Sequence, residues 1–342
     1  VRQSQEHQFE GLKAEIEDLR LHPEIAGYVI TELTDVHWEA NGLLDLRRNR
    51  KAFHERFKEV NAEMVLIGRP EHTRYRSGEP AVVHVEVASP RPVPDVRVAW
   101  KIASLGLDGI ALPAEPITFD VPALNAPVAA TVSFELLGSG ASGSVRNSTV
   151  LWLFPDEPAT RSSDVMVASS WDEVEERIEA GGRAVVIATD DGALPDGGGV
   201  SLDPWDTDDD ANGWFRSAGL GWLHPRLTDG LPLGPRVDLA FLGITPQHRL
   251  RGYGPEHRSD LLAGHFLGWI RDVTASIAGF RHGHGAGIVC TFPLLRSQGR
   301  DPVAAALLDR LVEIAGDRRF SPKTELRSVS DGSERHDRRS GG

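Results

Sequence analysis

The chain has 342 residues, 40% hydrophobic and 25% charged, with 35 Gly and 22 Pro, enough for two or three domains with proper cores. A formal net charge of −13 excludes an extended nucleic-acid surface, which needs clustered Lys and Arg to displace counterions. The lone cysteine, Cys290, excludes a disulfide within the chain and a cysteine-cluster zinc site, and no stretch approaches the roughly 18 apolar residues of a membrane span.

No signal peptide or charged leader precedes the first helix pattern, and the first residue is Val1, so the native N-terminus is expected upstream. Phe9, Leu12, Ile16 and Leu19 recur at helical spacing and predict an amphipathic helix over 4–21, ended by Pro23. Gly27-Tyr28-Val29-Ile30-Thr31 reads as a short apolar strand, buried on both faces as in a βαβ unit. The segment 49–62, with Phe53, Phe57 and Val60 on one side, reads as a second helix. A single parallel strand cannot satisfy its own backbone, so its partners are expected upstream of Val1.

After Pro70 the texture changes to strict alternation. "AVVHVEVAS", "VRVAWKIAS", "ATVSFELLG" and "STVLWLFP" are separated by Pro- and Gly-rich connections. This predicts an immunoglobulin-like antiparallel β-sandwich over about 73–155, within a domain spanning 70–157. "DEPATRSSD" is then a polar linker.

From Asp164 strands and helices alternate: "DVMVASS", then the helix "WDEVEERIEAGG" with Val174 and Ile178 inward, then "RAVVIATDD". Leu261–Ile277 reads as helical and "AGIVCTF" as a strand. Asp301-Pro302 opens a last helix carrying Leu307, Leu308 and Leu311. An α/β layer domain of flavodoxin-like type is expected over 164–316. The tail, 317–342, is charged and Ser-rich and is expected to be disordered.

Several motifs attract chemical readings. His282 and His284 flank Gly283, but metal sites want three or more ligands and no carboxylate lies nearby in sequence. The glycines 283, 285 and 287 precede a strand instead of following one, the wrong side for a dinucleotide loop. Asp206, Asp208 and Asp210 have calcium-loop spacing, yet Ala211 stands where Gly is needed and Ser217 where Glu is needed. Cys290 lies inside a strand and reads as a small buried hydrophobe, not a nucleophile on a strained turn.

"IAGYVITELTD" followed by "NGLLDLRRNRKAFHERF" resembles the last strand and helix of the catalytic barrel in glycoside hydrolase family two. That group holds the β-galactosidases, β-glucuronidases and β-mannosidases. The resemblance rests on Gly27, Tyr28–Ile30, Asp35, Asn41-Gly42-Leu43, Asp45, Arg47 and Lys51. It makes 1–69 the truncated end of a (β/α)8 barrel, followed by a sandwich and an α/β domain similar to the amidotransferase-like appendage of some bacterial members.

A retaining glycosidase needs two carboxyl groups about 5 Å apart. In the family these lie at the ends of the fourth and seventh strands, which the resemblance puts upstream of Val1. It therefore implies no catalytic residue in this chain, no cofactor and no metal. Thr31, Glu32, Asp35, Trp38 and Glu39 become substrate-lining residues at the barrel's C-terminal face. Glu32 stays open to two other readings: a nucleophile, if "VITEL" were the seventh strand, or a strand-end carboxylate tied to an Arg. Trp38 either stacks on a sugar ring or covers the barrel rim.

The implied partners are a carbohydrate substrate and the upstream part of the same chain, with no nucleic acid and no membrane. Two rivals come from other classes. One is a non-catalytic carbohydrate-binding or scaffold protein using the sandwich. The other is an amidotransferase or hydrolase acting through Cys290.

Overall fold

The computed structural model describes residues 1–37, 39–138, 144–156, 164–195, 199–205, 220–267 and 272–327. It is β-rich, with three sheets of three, five and eight strands and a few helices. Among the described residues no helix is long and apolar enough to cross a membrane.

The N-terminal region opens with α1 (Arg2–Leu21), whose Phe9 and Ile16 are buried. They meet Phe53 and Val60 in a small core onto which Leu12, Tyr28, Ile30 and Leu43 pack. Phe9 stacks on Phe53 with ring centroids 5.5 Å apart. The strand expected at 27–31 is not paired: no backbone hydrogen bond joins residues 26–31 to another described segment. A segment with no neighbouring strand has no ladder to enter.

The helix expected at 49–62 is also largely absent, reduced to a 3₁₀ turn at His54–Arg56 and the single-turn α2 (Lys58–Asn61). Local side-chain bonds win over helix propensity at its start. Asp45 accepts from the Asn49 N–H (2.7 Å) and the Asn49 side-chain amide (2.9 Å), while Arg50 bridges to Leu44.

Eight strands follow: β1 (Val65–Pro70), β2 (Arg74–Arg76), β3 (Pro80–Ala88), β4 (Arg97–Ile102), β5 (Leu107–Ala111), β6 (Ile117–Asp120), β7 (Val128–Leu137) and β8 (Arg146–Phe154). They form two sheets, β1-β3-β6 and β2-β8-β7-β4-β5, antiparallel throughout except where β2 runs parallel to β8. Val83 and Val85 from one sheet and Val98, Val132, Phe134, Leu151 and Leu153 from the other share one core, as the period-2 pattern requires. Gly68 is bare because a Cβ there would lie 2.3 Å from the Phe134 ring.

β8 is buried on both sides. Leu151 and Leu153 face the sandwich core. Trp152 and Phe154, pointing the other way, belong to the core of the third region.

That third region contains β9 (Val165–Ala168), α3 (Glu175–Glu179), β10 (Arg183–Ile187), β11 (Ser201–Pro204), β12 (Leu220–Leu223), α4 (Pro225–Thr228), β13 (His248–Arg251), β14 (Leu261–Leu267), β15 (Asp272–His282), β16 (Gly285–Cys290), α5 (Leu294–Ser297) and α6 (Pro302–Gly316). The strand order is β11-β13-β15-β16-β10-β9, with β14 also on β15 and β12 on β14. β9, β10 and β16 are mutually parallel, and β15 runs antiparallel to β16. Leu307, Leu308 and Leu311 of α6 are buried with Val185 and Ile288. Trp171, Val174, Ile178 and Phe280 form a separate cluster with Val186 and Val289. Asp301 caps α6 by accepting from the Val303 and Ala304 N–H groups at 2.9 and 3.2 Å.

The structure corrects two further expectations. The described residues of 261–277 form no helix but lie in β14 and β15. A strand buried on both faces is apolar without alternation and mimics a buried helix in sequence. The tail is not free from Asp317 onward: Phe320, Thr324 and Leu326 are buried. Asp260 holds it there, its Oδ2 accepting from the Lys323 N–H (2.8 Å), the Thr324 N–H (2.7 Å) and the Thr324 hydroxyl (2.8 Å).

Candidate functional site

The polar residues that follow Ile30 are organised by a short laced loop. The Leu43 N–H donates to the Glu32 carbonyl (3.1 Å), the Leu44 N–H to the Leu33 carbonyl (3.0 Å), and the Asp35 N–H to the Leu44 carbonyl (2.9 Å). Val36 and Glu39 exchange backbone bonds at 3.1 and 2.8 Å, closing a tight turn between them. Gly42 allows the two passes of chain to approach, because a Cβ there would sit 2.4 Å from the Asp35 nitrogen.

Beneath the loop lies Lys51, whose side chain is 1% exposed. Its ammonium is 2.7 Å from Asp35 Oδ1 and donates to Gln8 Oε1 (2.9 Å) and the Ala40 carbonyl (2.8 Å). Asp35 also accepts from the Gly42 N–H at 2.9 Å. Three acceptors meet the three N–H donors of the ammonium, which is what a buried cation requires. Asp35 thus ties the loop to Lys51, and through Gln8 the same network reaches α1.

Glu32 and Glu39 behave differently. Both are half-buried, and the Glu32 Oε2 atom is enclosed without a hydrogen-bond partner. Burial, then the hydrogen bond with Glu39 and the charges of Glu39 and Asp35, push the Glu32 carboxyl above the ordinary glutamate range. Thr31 is exposed, and the Thr31–Glu32 peptide bond is cis. Trp38 lies outside the described residues.

The structure thus brings Glu32, Asp35 and Glu39 together, with Asp35 turned to Lys51. Sequence reasoning included Lys51 in a pattern but did not foresee its burial. It missed Gln8, because a glutamine on a helix face carries no signal of what it will meet across 43 residues of chain.

The other singled-out residues do not assemble a site. One His282 ring nitrogen contacts the Leu326 carbonyl at 2.8 Å, and His284 is exposed. Among the described residues no group of three His, Cys, Asp or Glu could hold a metal ion. Cys290 is buried, and burial pushes its thiol up to about 12, far from a nucleophile's range. Asp206, Asp208 and Asp210 lie outside the described residues.

No protein-family model matches the sequence, and no curated protein matches it. Among solved structures, the chain is similar to the PKD domain of the human VPS10 domain-containing receptor SorCS2, with 17% identity and a TM-score of 0.21. That similarity covers 28% of this chain and 75% of the other.

Proposed function

We propose that the chain is the C-terminal part of a retaining β-glycosidase of the family-two type. Residues 1–69 close its barrel, 70–157 form an immunoglobulin-like sandwich and 164–316 form an amidotransferase-like α/β domain. The observation that carries the reading is the segment 26–31. It makes no backbone hydrogen bond to another described segment, with Tyr28 and Ile30 packed inward and Val29 92% exposed. Such a segment has the form of a parallel strand that takes neighbours on either side, and it ends directly at the Glu32–Glu39 pair.

In this reading the nucleophile and the acid/base come from strands encoded upstream. Glu32, Glu39, Thr31 and Trp38 line the sugar site, and Asp35 positions the loop that carries them. Glu32 and Glu39 hydrogen-bond to neighbouring sugar hydroxyls. The substrate class is a β-linked galactoside, glucuronide or mannoside, hydrolysed with retention and without a cofactor. The rival carbohydrate-binding sandwich calls for a row of exposed aromatics. Trp152 is instead buried against the third region, and Trp100 stacks on Phe119 with centroids 6.2 Å apart.

The test compares residues 1–342 with the same chain extended by the upstream coding sequence, on chromogenic β-galactoside, β-glucuronide and β-mannoside. The short chain is expected to be inert. The extended chain is expected to turn over one of the three, with Glu32→Gln raising KM by about tenfold, the worth of roughly one charge-assisted hydrogen bond. Turnover by residues 1–342 that disappears in Glu32→Gln would overturn the assignment and make Glu32 the nucleophile. Inertness of the extended chain on all three would end the glycosidase reading.

A further inference from the structure

A second site lies in the third region, under the first turns of α1. A cavity of about 250 Å³ is walled by Trp205, His265 and Phe292, with Ser276 and Thr245 as its hydroxyl-bearing residues and His7 of α1 above them. Trp205 and Phe292 are buried. The aromatic wall is fixed in place: His265 meets Trp205 edge-on at 5.3 Å, and the Arg249 guanidinium sits 4.9 Å from the same indole ring. Arg249 is itself held by Asp203 at 2.7 Å.

Two features say what such a space takes. First, among the described residues no Asp, Glu, Lys or Arg lines it, so a charged guest would lose its hydration with nothing to replace it. Second, an aromatic wall with hydroxyl-bearing residues in the same lining suits a ring with apolar C–H faces and polar edges. The volume is below the roughly 300–1,000 Å³ of drug-sized pockets and suits a single six-membered ring.

The geometry points to a binding site for a neutral, ring-shaped polyhydroxyl compound of monosaccharide size, seated on Trp205 and covered by His7 of α1. It is separate from the Glu32–Glu39 pair and stands independently of the glycosidase reading. Because α1 supplies the cover, occupation of the cavity ties α1 to the third region.

The test is isothermal titration calorimetry on the full chain with D-galactose, D-glucose, D-mannose and myo-inositol. At least one is expected to bind saturably. Ser276→Val and Thr245→Val are each expected to weaken that binding by about tenfold, the loss of roughly one hydrogen bond. Ser276 is 2% exposed, so Thr245→Val, at the exposed mouth, keeps the test intact if the Ser276 variant does not fold. Absence of saturable binding with all four compounds overturns the proposal. So does binding that withstands every folded variant of this pair, or binding lost only in Glu32→Gln, which would report the other site.

Discussion

The N-terminal region packs on β1 and β8 of the sandwich, but the two are stabilised by different means. The sandwich interleaves Val83, Val85, Val132, Leu151 and other alternating side chains from two sheets. The N-terminal region buries Phe9, Ile16, Phe53 and Val60 and sets beside them an ammonium held by three acceptors. Apolar burial is non-directional and tolerates small displacements. A buried cation does not: its desolvation is offset only while every partner stays in place. The small core is therefore the more sensitive of the two to a single polar substitution, and the sandwich to the loss of volume.

The comparison is broken most severely at Lys51. Lys51→Met leaves the part-buried Asp35 without its cation and with the Gly42 N–H as its remaining donor, with an expected cost of about 3–5 kcal/mol. Hydrogen exchange is expected to show α1 and residues 39–61 losing protection while β3 and β7 keep theirs. Equal loss in both regions would mean that they share one core in practice.

Leu151→Ala is the matching cut in the sandwich, costing about 2–5 kcal/mol through lost burial and the cavity left behind. It is expected to lower the main urea transition. A variant that released only the N-terminal region would reverse the ranking.

Asp260→Ala asks whether a polar anchor matters equally where the apolar core is large. It removes the acceptor of three tail donors, at about 1.5–3 kcal/mol for hydrogen bonds to a charged group. Exchange is expected to show residues 320–327 released with β10 and β16 unaffected.

The smallest effect is at Glu32, and its sign is set by pH. A carboxyl group whose folded pKa lies above its unfolded value binds more protons in the native state, so stability falls as pH rises through that window. Glu32→Gln removes the ionisation. The variant is expected to gain on the wild type as pH rises above the ordinary glutamate range, with the gap closing in acid. A constant gap across pH, measured by thermal melts, would show that Glu39 does not bear on Glu32.

Legibility in the sequence followed the number of faces each element buries. The four alternating segments of the sandwich became β3, β4, β7 and β8 because one side of each meets a core and most of the other sides meet solvent. The Asp301-Pro302 start of α6 was readable because capping is local chemistry. Leu261–Ile277 was misread because strands covered on both faces lose their alternation. Tyr28–Thr31 was read from its apolar character alone, which does not specify a hydrogen-bonding neighbour. At the site, Glu32, Asp35 and Glu39 stood out as a polar burst, but their division of labour depends on Lys51 and Gln8, which reach them from other elements.

The two-faced strand β8 has a mechanical consequence. Leu151 and Leu153 serve one interior while Trp152 and Phe154 serve another, so neither interior can be dismantled without exposing one row of the same strand. A protease cut between Asp156 and Asp164 would sever the covalent thread but leave the halves clasped, migrating as one particle until denaturant parts them.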